Sequence, residues 1–146
     1  EFNIDERLLN HAPNLKVVSN ISVEYNNFNI EGMKNRNIIG TNTSGVLDDS
    51  VADLVFGLIF STSRRIVELD RCVKEGCWKR KDNDDIYGQD VHRASFEIIG
   101  MDSIGECVAK RAKLGFDMEV FYYNRNRKIN SEHDLGIKYS DFKILL

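Results

Sequence analysis

Between Ile98 and Gly105 the chain reads Ile-Ile-Gly-Met-Asp-Ser-Ile-Gly, with a carboxylate in the middle of a glycine turn. An apolar run enters the turn, and a helical pattern, Glu106 to Leu114, leaves it. Strand, glycine turn and helix in that order form the context in which a G-x-G-x-x-G pattern holds a dinucleotide pyrophosphate. Gly100 permits the tight turn, and Gly105 lets helix and strand pack closely. The amides of Ser103 and Ile104 open the helix, where free N–H donors and partial positive charge suit a phosphate. The middle glycine lets backbone approach the ligand, and here it is replaced by Asp102. A carboxylate about 4 Å from a phosphate charge costs on the order of 4 kcal/mol at a surface-like dielectric. That is roughly a thousandfold in affinity. The residues describe a nucleotide cradle in which weak or absent binding is expected.

A second group lies beyond the next apolar run. About 20 residues after such a turn an acid normally holds the ribose hydroxyls. The chain has Asn124 there, followed by Arg125, Arg127 and Lys128. A neutral residue with cations favours a ribose 2′-phosphate, so NADP(H) is expected over NAD(H). The alternative is that these are solvated loop charges. His11, His92 and His133 have no carboxylate at triad-like spacing and read as surface histidines. Cys72, Cys77 and Cys107 are odd in number and imply neither a disulfide framework nor a zinc cluster. Free thiols in a reducing cytoplasm are expected. No catalytic residue and no metal ligand is assigned.

The elements that must position the turn can be read from pattern. Asp5 to His11 reads as a short helix end, broken by Pro13, before a strand candidate from Leu15 to Val23. Asn26 to Lys34 gives a turn into a short helix, and Asn37 to Thr43 a further strand. A long helix follows, residues 49–75, with Ser50 and Asp53 spaced as a capping box and Gly76 as its stop. It would be close to 40 Å long. Its Leu54–Phe60 half is apolar on every side, which fits either a central core helix or one packed between two subunits. Cys77 to Asp90, with the charged run Lys79 to Asp85, reads as a surface connection. Strand Phe96–Met101, helix Ser103–Leu114 ending at Gly115, and strand Met118–Asn124 then make a βαβ unit. The alternation argues α/β with a parallel sheet, of which these two strands are the nucleotide-binding part.

Composition narrows the partners. A chain of 146 residues with 42% apolar residues, 29% charged residues and a net charge of −3 is a globular chain with no general attraction for nucleic acid or anionic membranes. No apolar segment is long enough for a membrane span, and the first residues do not form a signal peptide. The missing initiator methionine and the apolar last residues, Phe142 to Leu146, lead us to expect a piece of something longer.

Longer stretches carry a resemblance. They are Ala12-Pro-Asn-Leu-Lys-Val-Val-Ser-Asn-Ile-Ser-Val23, Gly40-Thr-Asn-Thr-Ser-Gly-Val-Leu-Asp-Asp49, Val51-Ala-Asp-Leu-Val-Phe-Gly-Leu-Ile59, Arg64-Arg65, Val73-Lys-Glu-Gly76 with Trp78-Lys, Ala109 to Val120, and Tyr122-Tyr-Asn-Arg125. In these the chain resembles the D-isomer-specific 2-hydroxyacid dehydrogenases, in the branch of glyoxylate, hydroxypyruvate and 2-ketogluconate reductases. The resemblance implies hydride transfer between NAD(P)H and a small 2-oxo acid, and homodimers with the long helix at the subunit contact. It implies that residues 1–41 are the tail of a flavodoxin-like substrate domain. Residues 42–146 would be the first half of a Rossmann-like NAD(P)-binding domain.

Departures from the family pattern are as specific. A Val-Gly pair whose amides hold the substrate carboxylate is here Val23-Glu24, which brings bulk and like charge to an anion site. Asn26 stands for an Asp, Ser44 for a proline, and Glu97 and Asp102 for glycines. The family's catalytic Arg, acidic partner and general-acid His fall at positions after residue 146. Hydride transfer without a proton donor loses the general-acid contribution, about 10² to 10⁴ in rate. The chain alone is therefore expected to be inactive. The alternative is a non-catalytic nucleotide-binding or dimerisation module.

Overall fold

Short polar side chains ahead of apolar residues start the first helices. Asp5 Oδ1 accepts the Leu8 N–H at 2.9 Å and opens α1, Glu6–His11. Asn29 Oδ1 accepts the Gly32 N–H at 2.9 Å and opens α2, Ile30–Asn35. Each satisfies one of the amides that a helix start leaves without an intrahelical partner. Strands β1, Val17–Ser19, and β2, Ile39–Thr41, pair in parallel, Val17 beside Ile39. Leu9, Met33 and Ile38 are buried where α1 and α2 meet this small sheet, with Leu8, Leu15, Val18 and Phe28 around them. The computed structural model describes residues 2–78 and 86–144, and the chain divides into two compact units, Glu1–Leu47 and Asp48–Leu146. The expected charged connection Lys79 to Asp85 lies outside the described residues.

The second unit begins with α3, Asp48–Ser63, and α4, Ile66–Lys74. One helix over 49–75 was the expectation, and the structure breaks it at Arg65, whose φ of 52° is left-handed. The cause lies outside the helix. The Ser63 carbonyl, which a continuing helix would give to Val67, instead accepts the Gln89 N–H at 2.7 Å. Gly88 lets this happen, because a Cβ there would lie 2.1 Å from the same carbonyl oxygen. The expected Ser50–Asp53 capping box does not form either. Both residues lie inside α3, and Asp53 accepts from Arg111 instead.

Burial along α3 is one-sided. Ala52 and Phe56 are buried, whereas Leu54 and Leu58 are 62% and 59% exposed. Its apolar segment is thus not enclosed on every side within one chain.

The sheet of this unit is entirely parallel, in the order β3 (Ser95–Ile99), β4 (Glu119–Tyr123), β5 (Lys138–Tyr139). Helix α5, Ser103–Phe116, crosses from β3 to β4, and α6, Ile129–Leu135, crosses from β4 to β5. Two strands were expected here; β5 is a third, placed on the outer side of β4. Helix α5 also runs past Gly115, because Phe116 is drawn onto α3, stacked on Phe56 with centroids 5.0 Å apart and edge-on to Phe60 at 5.2 Å. Asp117, in the left-handed region, ends the helix in place of Gly115.

Ile98, Val120 and Tyr122 of the sheet are buried with Ala52 and Phe56 of α3 and Val108, Ala109 and Ala112 of α5. The three alanines let the two helices approach closely, and each large apolar side chain so buried contributes about 1.5–3 kcal/mol. Arg111 locks the pair. Its Nε donates to Asp53 Oδ1 at 2.8 Å and its other nitrogens to Asp49 Oδ1 at 3.0 Å and the Cys107 carbonyl at 3.1 Å. Ser95, Glu97 and Ile99 are exposed along β3. No helix among the described residues is long and apolar enough to cross a membrane.

A paired substitution tests the packing of α5. A Cβ on Gly105 would lie 2.2 Å from the Gly100 carbonyl oxygen, whereas one on Gly115 meets nothing within 4 Å. Gly105→Ala should cost about 2 kcal/mol or more, and Gly115→Ala should stabilise by about 0.5–1 kcal/mol. Urea unfolding followed by circular dichroism reads both. Equal effects of the two changes would contradict the packing described.

Candidate functional site

The glycine turn joins the end of β3 to the start of α5. Gly100 has a φ of +98°, a value that side chains disfavour, and its N–H donates to the Tyr123 carbonyl at 2.9 Å. That bond extends the β3–β4 pairing one residue into the turn. Gly105 then sits against the Gly100 carbonyl, at a distance that admits no side chain. These two positions have the geometry a dinucleotide turn requires.

The mouth of the turn is different. Asp102 is the N-cap of α5, in extended backbone conformation, and its Oδ1 accepts the Gly105 N–H at 3.1 Å. Its carbonyl accepts the first helical bond, from the Glu106 N–H at 2.9 Å. Ser103 and Ile104 are the first two residues of α5, ahead of that bond. One amide of the helix start is thus already held by a negative side chain belonging to the turn. The two glycines keep the frame of a dinucleotide turn, and its mouth carries a carboxylate.

Asn124, placed by sequence at the ribose position, works within the protein. Its Oδ1 accepts the Met101 N–H at 3.2 Å and its Nδ2 donates to the Asn126 carbonyl at 2.9 Å. It ties the loop after β4 to the loop after β3. Arg125 is exposed and forms no ion pair among the described residues. Arg127 turns the other way, with Nε and a terminal nitrogen each 2.7 Å from the two oxygens of Glu132. Its guanidinium also lies 5.5 Å from the centre of the Tyr139 ring. Lys128 pairs with Glu106 at 3.3 Å. Gly100, Ser103, Ile104, Gly105 and Asn124 therefore share the turn and its rim, Arg125 adjoins them in sequence, and Arg127 points its charge into α6.

Sequence reasoning missed the group behind this rim. Tyr122 is buried; its hydroxyl donates to Glu132 Oε1 at 2.7 Å and accepts the Lys128 N–H at 2.8 Å. Burial, and then the bond to Glu132, push its phenol up to about 12. The Arg127 guanidinium and the Tyr122 hydroxyl hold the Glu132 carboxyl down to about 2. The one available signal was an acid spaced after the arginine on a short helical pattern, which singles out no particular pair.

In the first unit, Val23 and Glu24 are bound up in their own loop. Asn42 Nδ2 donates to the Val23 carbonyl at 2.6 Å, and Asn20 Nδ2 and Ser22 Oγ donate to that of Glu24 at 2.6 and 2.8 Å. The Glu24 carboxylate accepts from Asn26 Nδ2 at 2.9 Å, so the Asn at 26 serves its neighbour's charge. His11 contacts the Arg7 carbonyl, His133 pairs with Asp134 at its exposed position, and His92 is exposed. Among the described residues the three cysteines form no disulfide, and no cluster able to hold a metal occurs. Burial and the neighbouring Asp49 and Asp48 push the Cys107 thiol up, away from its reactive form.

Known proteins are similar to this chain in sequence and fold. The family described as D-isomer specific 2-hydroxyacid dehydrogenase, NAD binding domain, matches residues 56–146. The chain is 42% identical to a glyoxylate reductase of Thermococcus litoralis, covering 98% of this chain and 44% of that protein. It is 39% identical to a probable 2-ketogluconate reductase of Dictyostelium discoideum, covering 99% and 43%. Among solved structures, a protein of Thermus thermophilus superposes with a TM-score of 0.86 at 34% identity, over 100% of this chain and 45% of that one. The D-lactate dehydrogenase of Aquifex aeolicus, complexed with NAD and lactic acid, shares the fold with a TM-score of 0.83 at 24% identity, over 99% and 42%. The chain spans less than half the length of each of these relatives.

The Glu132 network has a direct pH signature. Its carboxyl is held at about 2 in the folded chain, below the ordinary value of 4.5. The stability it contributes is fully present above the unfolded value and is lost as pH falls from about 4.5 toward 2. Glu132→Gln should be less stable than the parent near neutrality and should flatten the acid limb of the stability curve in that window. Urea midpoints measured from pH 6 to 2 read this, and identical slopes for parent and variant would refute it.

Proposed function

The chain belongs to the D-isomer-specific 2-hydroxyacid dehydrogenases, and on that premise we propose that it is a fragment descended from a reductase acting on a small 2-oxo acid with NADP(H) or NAD(H), its own hold on that cofactor weak or absent. The single observation that carries this is the β3–α5–β4 unit with its glycine turn, where Gly105 meets the Gly100 carbonyl as only a glycine does. Residues 1–41 correspond on this reading to the tail of the substrate domain. Residues 42–146 correspond to the first half of the nucleotide domain. Asn124 and the exposed Arg125 support a preference for a 2′-phosphate, whereas Arg127 is paired to Glu132. Val23 and Glu24 mark the place of the substrate carboxylate in altered form, with a negative charge opposing it. A cytoplasmic setting accords with three cysteines outside any disulfide.

These 146 residues alone are proposed to be inert. The reaction needs a group that polarises the 2-oxo carbonyl and one that delivers a proton. His11 meets a backbone carbonyl, His133 an exposed acid of its own helix and His92 solvent, so none has a buried acidic partner among the described residues. Purified chain mixed with NADPH or NADH and glyoxylate, hydroxypyruvate or 2-ketogluconate should show no cofactor oxidation above background by absorbance. Measurable turnover would overturn this part of the proposal.

The exposed leucines of α3 favour a second role, as a dimerisation module. Leu54 and Leu58, more than half exposed, lie one helical turn apart, and Ile66 and Val67 of α4 are exposed as well. A homodimer covering this stripe completes the burial that the apolar segment lacks. Sedimentation equilibrium should show self-association, and Leu54→Glu with Leu58→Glu should weaken it by about tenfold or more. A parent chain that stays monomeric at about 100 μM would count against the interface.

A further inference from the structure

We propose that Asp102 is the dinucleotide turn's own anion, a side chain that takes the place at the start of α5 that a pyrophosphate would take and so closes the cradle to NAD(P)H. The inference rests on the reading of this turn as a dinucleotide turn. Its starting point is the mismatch between the glycine frame and the carboxylate at its mouth.

Two features hold the carboxylate in place. It accepts the Gly105 N–H at 3.1 Å. Asp102 also provides the carbonyl for the first helical bond, from Glu106 at 2.9 Å, so the residue is anchored by both backbone and side chain. Gly105, the donor, lies close against the Gly100 carbonyl, where a side chain would not fit. The neighbouring amide, of Met101, is bound to Asn124 at 3.2 Å. A phosphate arriving here meets a negative charge already seated on an amide of the helix start. The positive end of the helix is satisfied by an Asp as it would be by a phosphate.

Two effects add up at one residue. The first is bulk where backbone should be bare, and the second is like charge at close range, about a thousandfold in affinity by itself. Two substitutions separate them. Asp102→Asn keeps an acceptor able to cap the helix and removes the charge. Asp102→Gly removes charge and bulk together, and glycine is tolerated as an N-cap.

The test is calorimetric titration of NADPH and NADH into parent, Asp102→Asn and Asp102→Gly chains. Thermal melts establish that each is folded, and amide exchange at Gly105 monitors the cap. The parent should show no heat of binding up to about 1 mM dinucleotide. Asp102→Gly should gain roughly a thousandfold or more, Asp102→Asn should fall between, and Gly105 should exchange faster in the glycine variant alone. A parent that binds as tightly as Asp102→Gly overturns the inference and leaves the reading of the turn intact. Folded variants that both fail to bind overturn the reading of the turn, and the inference with it.

Discussion

The distance between Gly105 and the Gly100 carbonyl governs the second unit. Helix α5 comes so near the end of β3 that a single methyl group would lie 2.2 Å from backbone oxygen. That approach fixes the height of α5 over the sheet and so decides which residues can line their contact. Ala109 and Ala112 are fully buried there, and Ala52 meets them from α3. Phe116 then reaches the Phe56 and Phe60 rings, and Arg111 reaches Asp49 and Asp53. The same approach aims the first turn of α5 at the rim where Asn124 closes the neighbouring loop. Packing and site are one constraint seen from two sides.

The chemistry at that rim is mostly self-directed. Amides, cations and acids that could meet a ligand are instead matched to one another: Asp102 to Gly105, Asn124 to Met101, Arg127 to Glu132, Lys128 to Glu106. Such pairs at a surface are individually weak, but buried Tyr122 joins two of the partners and gives the group a rigid floor. The framework is that of the family fold, and the polar groups around the glycine turn are paired with one another. Arg125 is the exception, a cation left facing outward.

Local rules carried much of this from sequence. The family, the α/β class and the βαβ unit around Gly100 were legible, because an apolar strand, two glycines and a helical period lie within one short stretch. The short helices over Asp5 to His11 and within Asn26 to Lys34 were legible too, though not that Asp5 and Asn29 cap them. What escaped was set by residues far apart in the chain. The break at Arg65 depends on Gly88 and Gln89 reaching the Ser63 carbonyl, and nothing in Arg64-Arg65 itself forbids a helix. The extension of α5 past Gly115 depends on Phe56, far earlier in the chain, outweighing a weak local stop. Arg127 is a different case: its partner Glu132 is only five residues on, but the sequence alone did not say which neighbouring acid its guanidinium would choose. Asp102 was legible as an intruder, and its service as a helix cap followed only once the backbone around it was known.

The bond from Gln89 to Ser63 has an evolutionary corollary. It returns the chain at Gln89 to the end of α3, the point from which α4 departs, so the two ends of the intervening stretch are pinned together. Lengthening a stretch pinned in this way is thermodynamically inexpensive, about 0.6 kcal/mol for each doubling. The sheet registers with its own helices on the far side of the pin. Insertions and deletions can therefore accumulate in that stretch across descendants without disturbing the alignment of β3 on β4.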